Sequence, residues 1–189
     1  MKRRTFIQTT LIAVPLAATT LVPAATTIRD RDLKGFVVKA DEGRYHGHIQ
    51  LKGVNMNIQD VKVSGKDTNG DLAIFEQTGL SPKRGTPLHV HPSQDEVFHI
   101  LEGEYHFQVG QDIHRLKAGD SIFLPRKVPH AWTQVSERGR CTVLVQPAGK
   151  LEEFFVTVAA LTKEPTKEEL AQLFADHDMQ VVGPPLKVD

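Results

Sequence analysis

The chain has 189 residues, 40% hydrophobic and 24% charged, which suits one ordinary soluble domain with a core large enough to fold alone. Its 23 Lys and Arg balance 23 Asp and Glu, and no basic block follows residue 4. A polyanion-binding face needs concentrated positive charge, so no nucleic-acid partner is expected.

The N-terminus reads differently from the rest. Met1-Lys2-Arg3-Arg4 is basic, Leu11 to Val22 is uncharged and broken by Pro15, and Val22-Pro23-Ala24 supplies small residues at a cleavage site. No acidic residue precedes Asp30. This layout predicts a signal peptide over residues 1–25, and the apolar run is short for a membrane span. Arg3-Arg4-Thr5-Phe6-Ile7 resembles the twin-arginine export signal, with Lys2 where that pattern has Ser or Thr. The expected location is therefore periplasmic or extracellular, with no membrane contact after cleavage; retention as an anchor is the alternative. Loss of Lys2, Arg3 and Arg4 leaves 20 basic residues against 23 acidic ones. The single Cys141 permits no internal disulfide and reads as a packed core thiol in a strand.

A single domain is expected over 26–189, with a barrel core at about 45–147. The polar turn Gly65 to Gly70 leads into a strand over Leu72 to Thr78, and Ser81 to Pro87 reads as a loop. Further strands are predicted over Leu88–His91, Glu96–Leu101, Tyr105–Val109, Ile113–Leu116, Ser121–Leu124, His130–Val135 and Cys141–Gln146. Short strands at this spacing predict an all-β barrel or sandwich. Taking Glu102-Gly103 as a two-residue hairpin turn sets Ile100 opposite Tyr105, Phe98 opposite Phe107 and Glu96 opposite Val109. Period two then points Glu96, Phe98 and Ile100 into the interior, with His99 and His106 paired on the outside.

Past Gln146 the period changes. Leu151, Phe154, Phe155 and Val158 recur at helical spacing, although the Phe-Phe-Val-Thr-Val run has strand propensity. Thr166-Lys-Glu-Glu169 is a capping box, after which Leu170, Leu173, Phe174 and His177 share a helical face. A C-terminal helical extension is expected over about 151–180, and Gly183-Pro184-Pro185 is expected to stop regular structure.

The chemistry concentrates between Gly85 and Gly103. His89 and His91, two apart on a strand, project from one face with Cβ atoms about 7 Å apart, so one ion can be gripped by both rings. Glu96 opens the next strand, and Pro129-His130 brings a third imidazole from further along. A carboxylate turned into an apolar interior is tolerable only beside a metal or with a proton. Tyr45-His46-Gly47-His48 holds a second His pair, but no acid stands at the matching spacing, and it reads as surface strand. Alternation from His130 puts Trp132 and Gln134 on the ligand face.

These residues resemble the motifs of the cupin superfamily. His89-Val-His91, four residues, Glu96, six residues and Gly103 match the first motif, with Gly85 three residues before the His pair where the family has five. Gly119, Pro125 and His130 match the second, while Lys127 and Gln134 stand in place of its glycine and asparagine. The resemblance implies a double-stranded β-helix, or jelly-roll, barrel holding one divalent transition metal on His89, His91, Glu96 and His130. Fe, Mn, Ni, Co, Cu and Zn all suit mixed nitrogen and oxygen ligation. It also implies a quercetin-dioxygenase-like activity on a small oxygenated organic substrate, with Glu96 as proton acceptor. The expected pocket is Trp132, Phe98, Phe107 and Ile122 as apolar walls, with Gln134 bonding a ligand or a water. A redox-neutral isomerase, lyase or hydrolase, or a non-catalytic binder of a small ligand or metal, stays open, as does a homodimer through the barrel edges.

Overall fold

The computed structural model describes residues 34–53 and 55–188. The expected signal peptide and its cleavage site lie outside these residues. Among the described residues, no helix is long and apolar enough to cross a membrane.

Eleven strands and two helices follow one another along the described chain. The strands are β1 (His48–Gln50), β2 (Ile58–Val63), β3 (Ala73–Gly79), β4 (Pro87–Val90), β5 (Asp95–Glu102), β6 (Glu104–Val109), β7 (Asp112–Lys117), β8 (Ser121–Leu124), β9 (His130–Gln134), β10 (Gly139–Gln146) and β11 (Gln180–Pro185). Helix α1 spans Leu151–Ala159 and α2 spans Lys167–Asp176. A six-stranded antiparallel sheet, β1-β2-β3-β10-β5-β8, faces a five-stranded one, β11-β4-β9-β6-β7. This is the all-β architecture that the strand spacing predicted, with the jelly-roll form that the family resemblance implied and the C-terminal helices that the helical spacing predicted.

Alternation builds the core. In β3 and β10 every second residue is buried, so Phe75, Cys141, Val143 and Val145 turn inward from adjacent strands. Cys141 is a buried free thiol, as its apolar strand implied. Phe107, Tyr105 and Trp132 meet them from the opposing sheet. Each such buried side chain contributes about 1.5–3 kcal/mol of hydrophobic stabilisation.

The β5–β6 hairpin is not formed. β5 pairs with β10 and β8, whereas β6 pairs with β7 and β9 in the other sheet. Gly103, at φ +85, lets the chain cross from one sheet to the other. The inward faces nevertheless meet as two layers, and the Phe98 and Phe107 rings lie 5.1 Å apart, edge to face. His99 and His106 therefore do not pair. His99 bonds Ser121 across β5–β8, while His106 lies in register with Arg115 and Thr133.

Nor does Gly183-Pro184-Pro185 end regular structure. These residues belong to β11, which pairs with β4 through register shifts at Val181/Gly183 and Gly183/Pro185. Its place at the sheet edge explains the tolerance, since a proline there forfeits no ladder bond that a neighbour needs. Two further strands, β1 and β2, went unpredicted.

Helix α1 buries Leu151, Phe154, Phe155 and Val158, the stripe its spacing predicted, and carries Glu152 and Glu153 where the helix dipole favours acid. Helix α2 starts with the predicted capping box. The Glu169 N–H donates to the Thr166 hydroxyl (3.1 Å), and the Thr166 N–H donates to the Glu169 carboxylate (2.8 Å). Phe155 packs on Phe75 and Phe154 on Phe174, both edge to face. The two helices thereby close one mouth of the barrel.

Candidate metal centre

Three imidazoles and a carboxylate converge beneath those helices. His89 sits on β4 and His91 just past its end; His130 opens β9 and is the ladder partner of His89. Glu96 comes from β5 in the opposing sheet. The four are at most 5% exposed. One ligating nitrogen from each histidine lies within 4.8 Å of the others. The carboxylate oxygens of Glu96 approach His130 Nε2 to 3.3 Å and His91 Nε2 to 3.9 Å. Donors that each sit about 2.1 Å from one ion are about 3 to 4 Å apart, so the Glu96 separations fit a shared ion as they stand, and the histidine nitrogens need to close in by less than about 1 Å.

Tautomers are set by backbone and amide acceptors. His89 Nδ1 lies 2.8 Å from the Pro87 carbonyl, His130 Nδ1 3.1 Å from the Val128 carbonyl, and His91 Nδ1 3.1 Å from Gln94 Oε1. Each Nδ1 is thus the protonated donor, leaving an Nε2 lone pair for the interior. The Nε2 atoms of His91 and His130 are buried without a hydrogen-bond partner. Leaving such atoms unsatisfied costs about 1–3 kcal/mol apiece, and a divalent ion removes that cost. The donor set of three neutral imidazoles and one carboxylate fits a first-row transition metal.

Gln94 is the functional residue that sequence reasoning missed. Its amide accepts from His91 and donates to the Pro147 and Ala148 carbonyls at 3.1 and 2.8 Å, fixing the ring. Gln94→Leu keeps the bulk and removes these bonds. Metal affinity should fall about 10- to 100-fold, measured by chelator competition; an unchanged affinity would show that the ring orients itself.

Burial, with His130 and His91 alongside, pushes the His89 imidazole down to about 3. Burial disfavours the ionised Glu96 carboxylate, but without a metal the positive charge of adjacent imidazoles, His91 foremost, and a hydrogen bond from His130 outweigh it and hold the carboxyl low, at about 2. An imidazole in the unfolded chain titrates near 6.5, so between about pH 6.5 and 3 the unfolded state binds more protons. Metal-free protein should therefore lose stability as pH falls through that window, by up to about 3 kcal/mol at pH 4.5. Glu96 adds a loss of the same sign below about pH 4.5. Thermal unfolding at neutral pH and at pH 4.5 measures the difference, and equal midpoints would contradict it.

Beside the imidazoles lies an interior cavity of about 60 Å³, room for a few water-sized groups. Phe98, Trp132, Val143 and Leu51 wall it, and Leu151, Phe154, Phe155, Val158, Phe174 and Met179 roof it. Phe174 meets the His89 ring edge to face at 5.2 Å. Helical spacing marked the α1 and α2 residues as apolar faces but carried no sign that they cover a metal centre. Of the expected pocket residues, Phe98 and Trp132 line the cavity. Phe107 packs behind Phe98, and Ile122, on β8, is the ladder partner of Phe98; neither is in the lining. Gln134 is fully buried away from the cavity, its amide donating to the Ser136 carbonyl at 2.8 Å. Lys127, in place of the motif glycine, adopts φ +66 and donates its N–H to the His91 carbonyl at 2.8 Å. The turn thus keeps a glycine-like conformation without glycine. His46 lies against Glu152 at 3.0 Å, and exposed His48 reaches the buried Asp60 carboxylate at 2.7 Å.

A two-sheet jelly roll with three inward histidines and an inward glutamate defines a metal-binding type of β-barrel. Residues 78–146 match the family model described as a cupin domain. It is similar to an RmlC-like cupin from Shewanella frigidimarina (25% identity over 55% of this chain and 84% of that one, TM-score 0.46). It is also similar to a putative ethanolamine utilization protein Q from Salmonella typhimurium (20% identity, 54% and 80%, TM-score 0.46). An uncharacterized protein of Methanocaldococcus jannaschii is 38% identical over 45 residues, 24% of this chain. The match spans 36% of that curated relative's length.

Proposed function

We propose that this cupin is an exported, metal-dependent dioxygenase acting on a small oxygenated organic substrate, with His89, His91, Glu96 and His130 as ligands. The observation that carries the reading is the makeup of the cavity wall. Among the described residues that line it, Glu96 is the single carboxylate, and no Lys, Arg, Tyr or Cys joins it. A redox-neutral isomerase, lyase or hydrolase generally needs a positioned acid or base besides the metal ligands, whereas a mostly apolar wall without one suits dioxygen and an oxidisable substrate. A redox-active divalent metal, when bound, would supply Lewis acidity and electron transfer to dioxygen.

The chain's own residues would do the rest. Trp132, Phe98 and the α1–α2 roof would exclude water and confine the substrate, and Glu96 would accept a substrate proton. Oxygen uptake by Fe- or Mn-reconstituted protein with small enols and hydroxy acids tests this. Turnover under anaerobic conditions, or equal turnover with Zn, would overturn it in favour of the redox-neutral class. Tight ligand binding without turnover would make the protein a binder.

Export rests on the basic, apolar and small-residue succession over residues 1–25. Changing Arg3 and Arg4 to Lys should retain the full chain in the cytoplasm, as seen by cell fractionation. A homodimer is proposed through the edge strands β7 and β8, where Ile113 and Phe123 are more than half exposed; sedimentation checks it.

A further inference from the structure

The cavity wall is mostly apolar, and away from the imidazoles and Glu96 its polar lining is Asn55, Thr86 and a pair of amides. Gln59 on β2 and Gln77 on β3 face the interior, are at most 2% exposed, and line the same space as His89, His91 and Glu96. The two form a short relay. Gln59 Nε2 donates to Gln77 Oε1 at 2.8 Å, and Gln77 Nε2 points to the Cys141 sulfur at 3.6 Å. Gln59 Oε1 is left buried with no partner. An unsatisfied carbonyl of this kind costs about 1–3 kcal/mol, and two apolar residues would have filled the site without that cost.

We infer that Gln59 is a specificity determinant that receives a hydroxyl group of the substrate while the metal centre holds its other end. The inference rests on the metal reading above and adds the class of substrate. A divalent ion with the Glu96 carboxylate leaves one net positive charge, which a monoanionic oxygen head, a carboxylate or enolate, neutralises. At the Gln59 end only a donor satisfies the free Oε1. A neutral hydroxyl fits better than an ammonium, because among the described residues no second carboxylate lines the cavity to balance a cation there. Between the two ends, Phe98, Trp132 and Val143 require an apolar span, and the cavity's small volume limits it to a few heavy atoms. The substrate class is therefore a short hydroxylated acid or enol.

Trp132 is the sole tryptophan of the chain and stands in the cavity wall, so binding can be read from intrinsic fluorescence. Zn-loaded protein, in which redox turnover is silent, is titrated with 3-hydroxypropanoate, 4-hydroxybutanoate and 5-hydroxypentanoate. Each is compared with the acid carrying methyl in place of the terminal hydroxyl. For at least one length the hydroxy acid should bind about tenfold tighter. In Gln59→Met that preference should vanish with Zn content unchanged. Equal affinities at every length, or a preference that survives Gln59→Met, would overturn the hydroxyl subsite, and the wild-type comparison alone decides this even if the variant misfolds. Binding that is the same with and without Zn would instead overturn the metal reading, and the hydroxyl subsite with it. An absence of any fluorescence response to all six acids would overturn the assigned substrate class.

Discussion

Replacing His130 by alanine should abolish metal retention. The residue is central to the cluster: it is the ladder partner of His89, with rings 4.6 Å apart, stacks on His91 at 5.3 Å, and is the imidazole nearest Glu96. Loss of a group that merely orients a ligand costs about 10- to 100-fold in affinity, so loss of a ligand should exceed the upper end of that range. Elemental analysis of purified wild type should find a transition ion near equimolar ratio, and the variant almost none. Thermal unfolding supplies a second readout. Free metal at about a hundred times its dissociation constant stabilises the folded state by about 2.7 kcal/mol, or about 5–10 °C for a domain of this size. The wild type should show that rise on adding Zn to metal-free protein, and His130→Ala should not. An equal rise in both would mean that the ion binds elsewhere, and the proposed chemistry would have no centre.

The candidate ligands were legible because a shared metal site would impose a spacing that strand geometry translates directly. A gap of two puts His89 and His91 on one face, and a carboxylate at Glu96 in an apolar alternation needs a reason to be there. Most strands were legible for a similar reason, since Phe75, Gln77 and Gly79 or Cys141, Val143 and Val145 alternate with residues that face outward. Strand β2 was not, because Gln59, Asp60 and Val61 are all buried and its polar residues mask the period. Asp60 is buried against His48 at 2.7 Å, which no local pattern announces. β11 was hidden by its prolines, whose meaning depends on being at an edge. Gln94 and Gln59 were hidden for a deeper reason. Their roles depend on which distant groups surround a buried amide, and that is a property of strand pairing, not of neighbours in the chain.

The misplaced hairpin leads to the second large effect. A glycine after a strand fits a tight two-residue turn, yet Gly103 turns the chain from the six-stranded sheet into the five-stranded one. Its φ of +85 lies where L side chains are strained, and a Cβ there would sit 2.2 Å from the Arg138 carbonyl oxygen and 2.4 Å from the Ser136 hydroxyl. The carbonyl belongs to the backbone just before β10 and has little freedom to withdraw. The Ser136 hydroxyl is itself engaged, bonding the Glu104 N–H at 2.8 Å and the Arg138 carbonyl at 2.5 Å. Gly103→Ala combines a positive-φ penalty of about 1–3 kcal/mol with an overpacking cost of similar size. The total, about 3 kcal/mol or more, is a large part of the 5–15 kcal/mol that holds a typical domain folded. Denaturant unfolding of metal-free Gly103→Ala should show a midpoint well below that of wild type with a similar slope. A hairpin turn, open to solvent and free to adjust, would instead lose about 1 kcal/mol or less. A small loss would return Gly103 to a simple turn and detach β5, with Glu96, from the sheet pairing that aims its carboxylate at the three imidazoles.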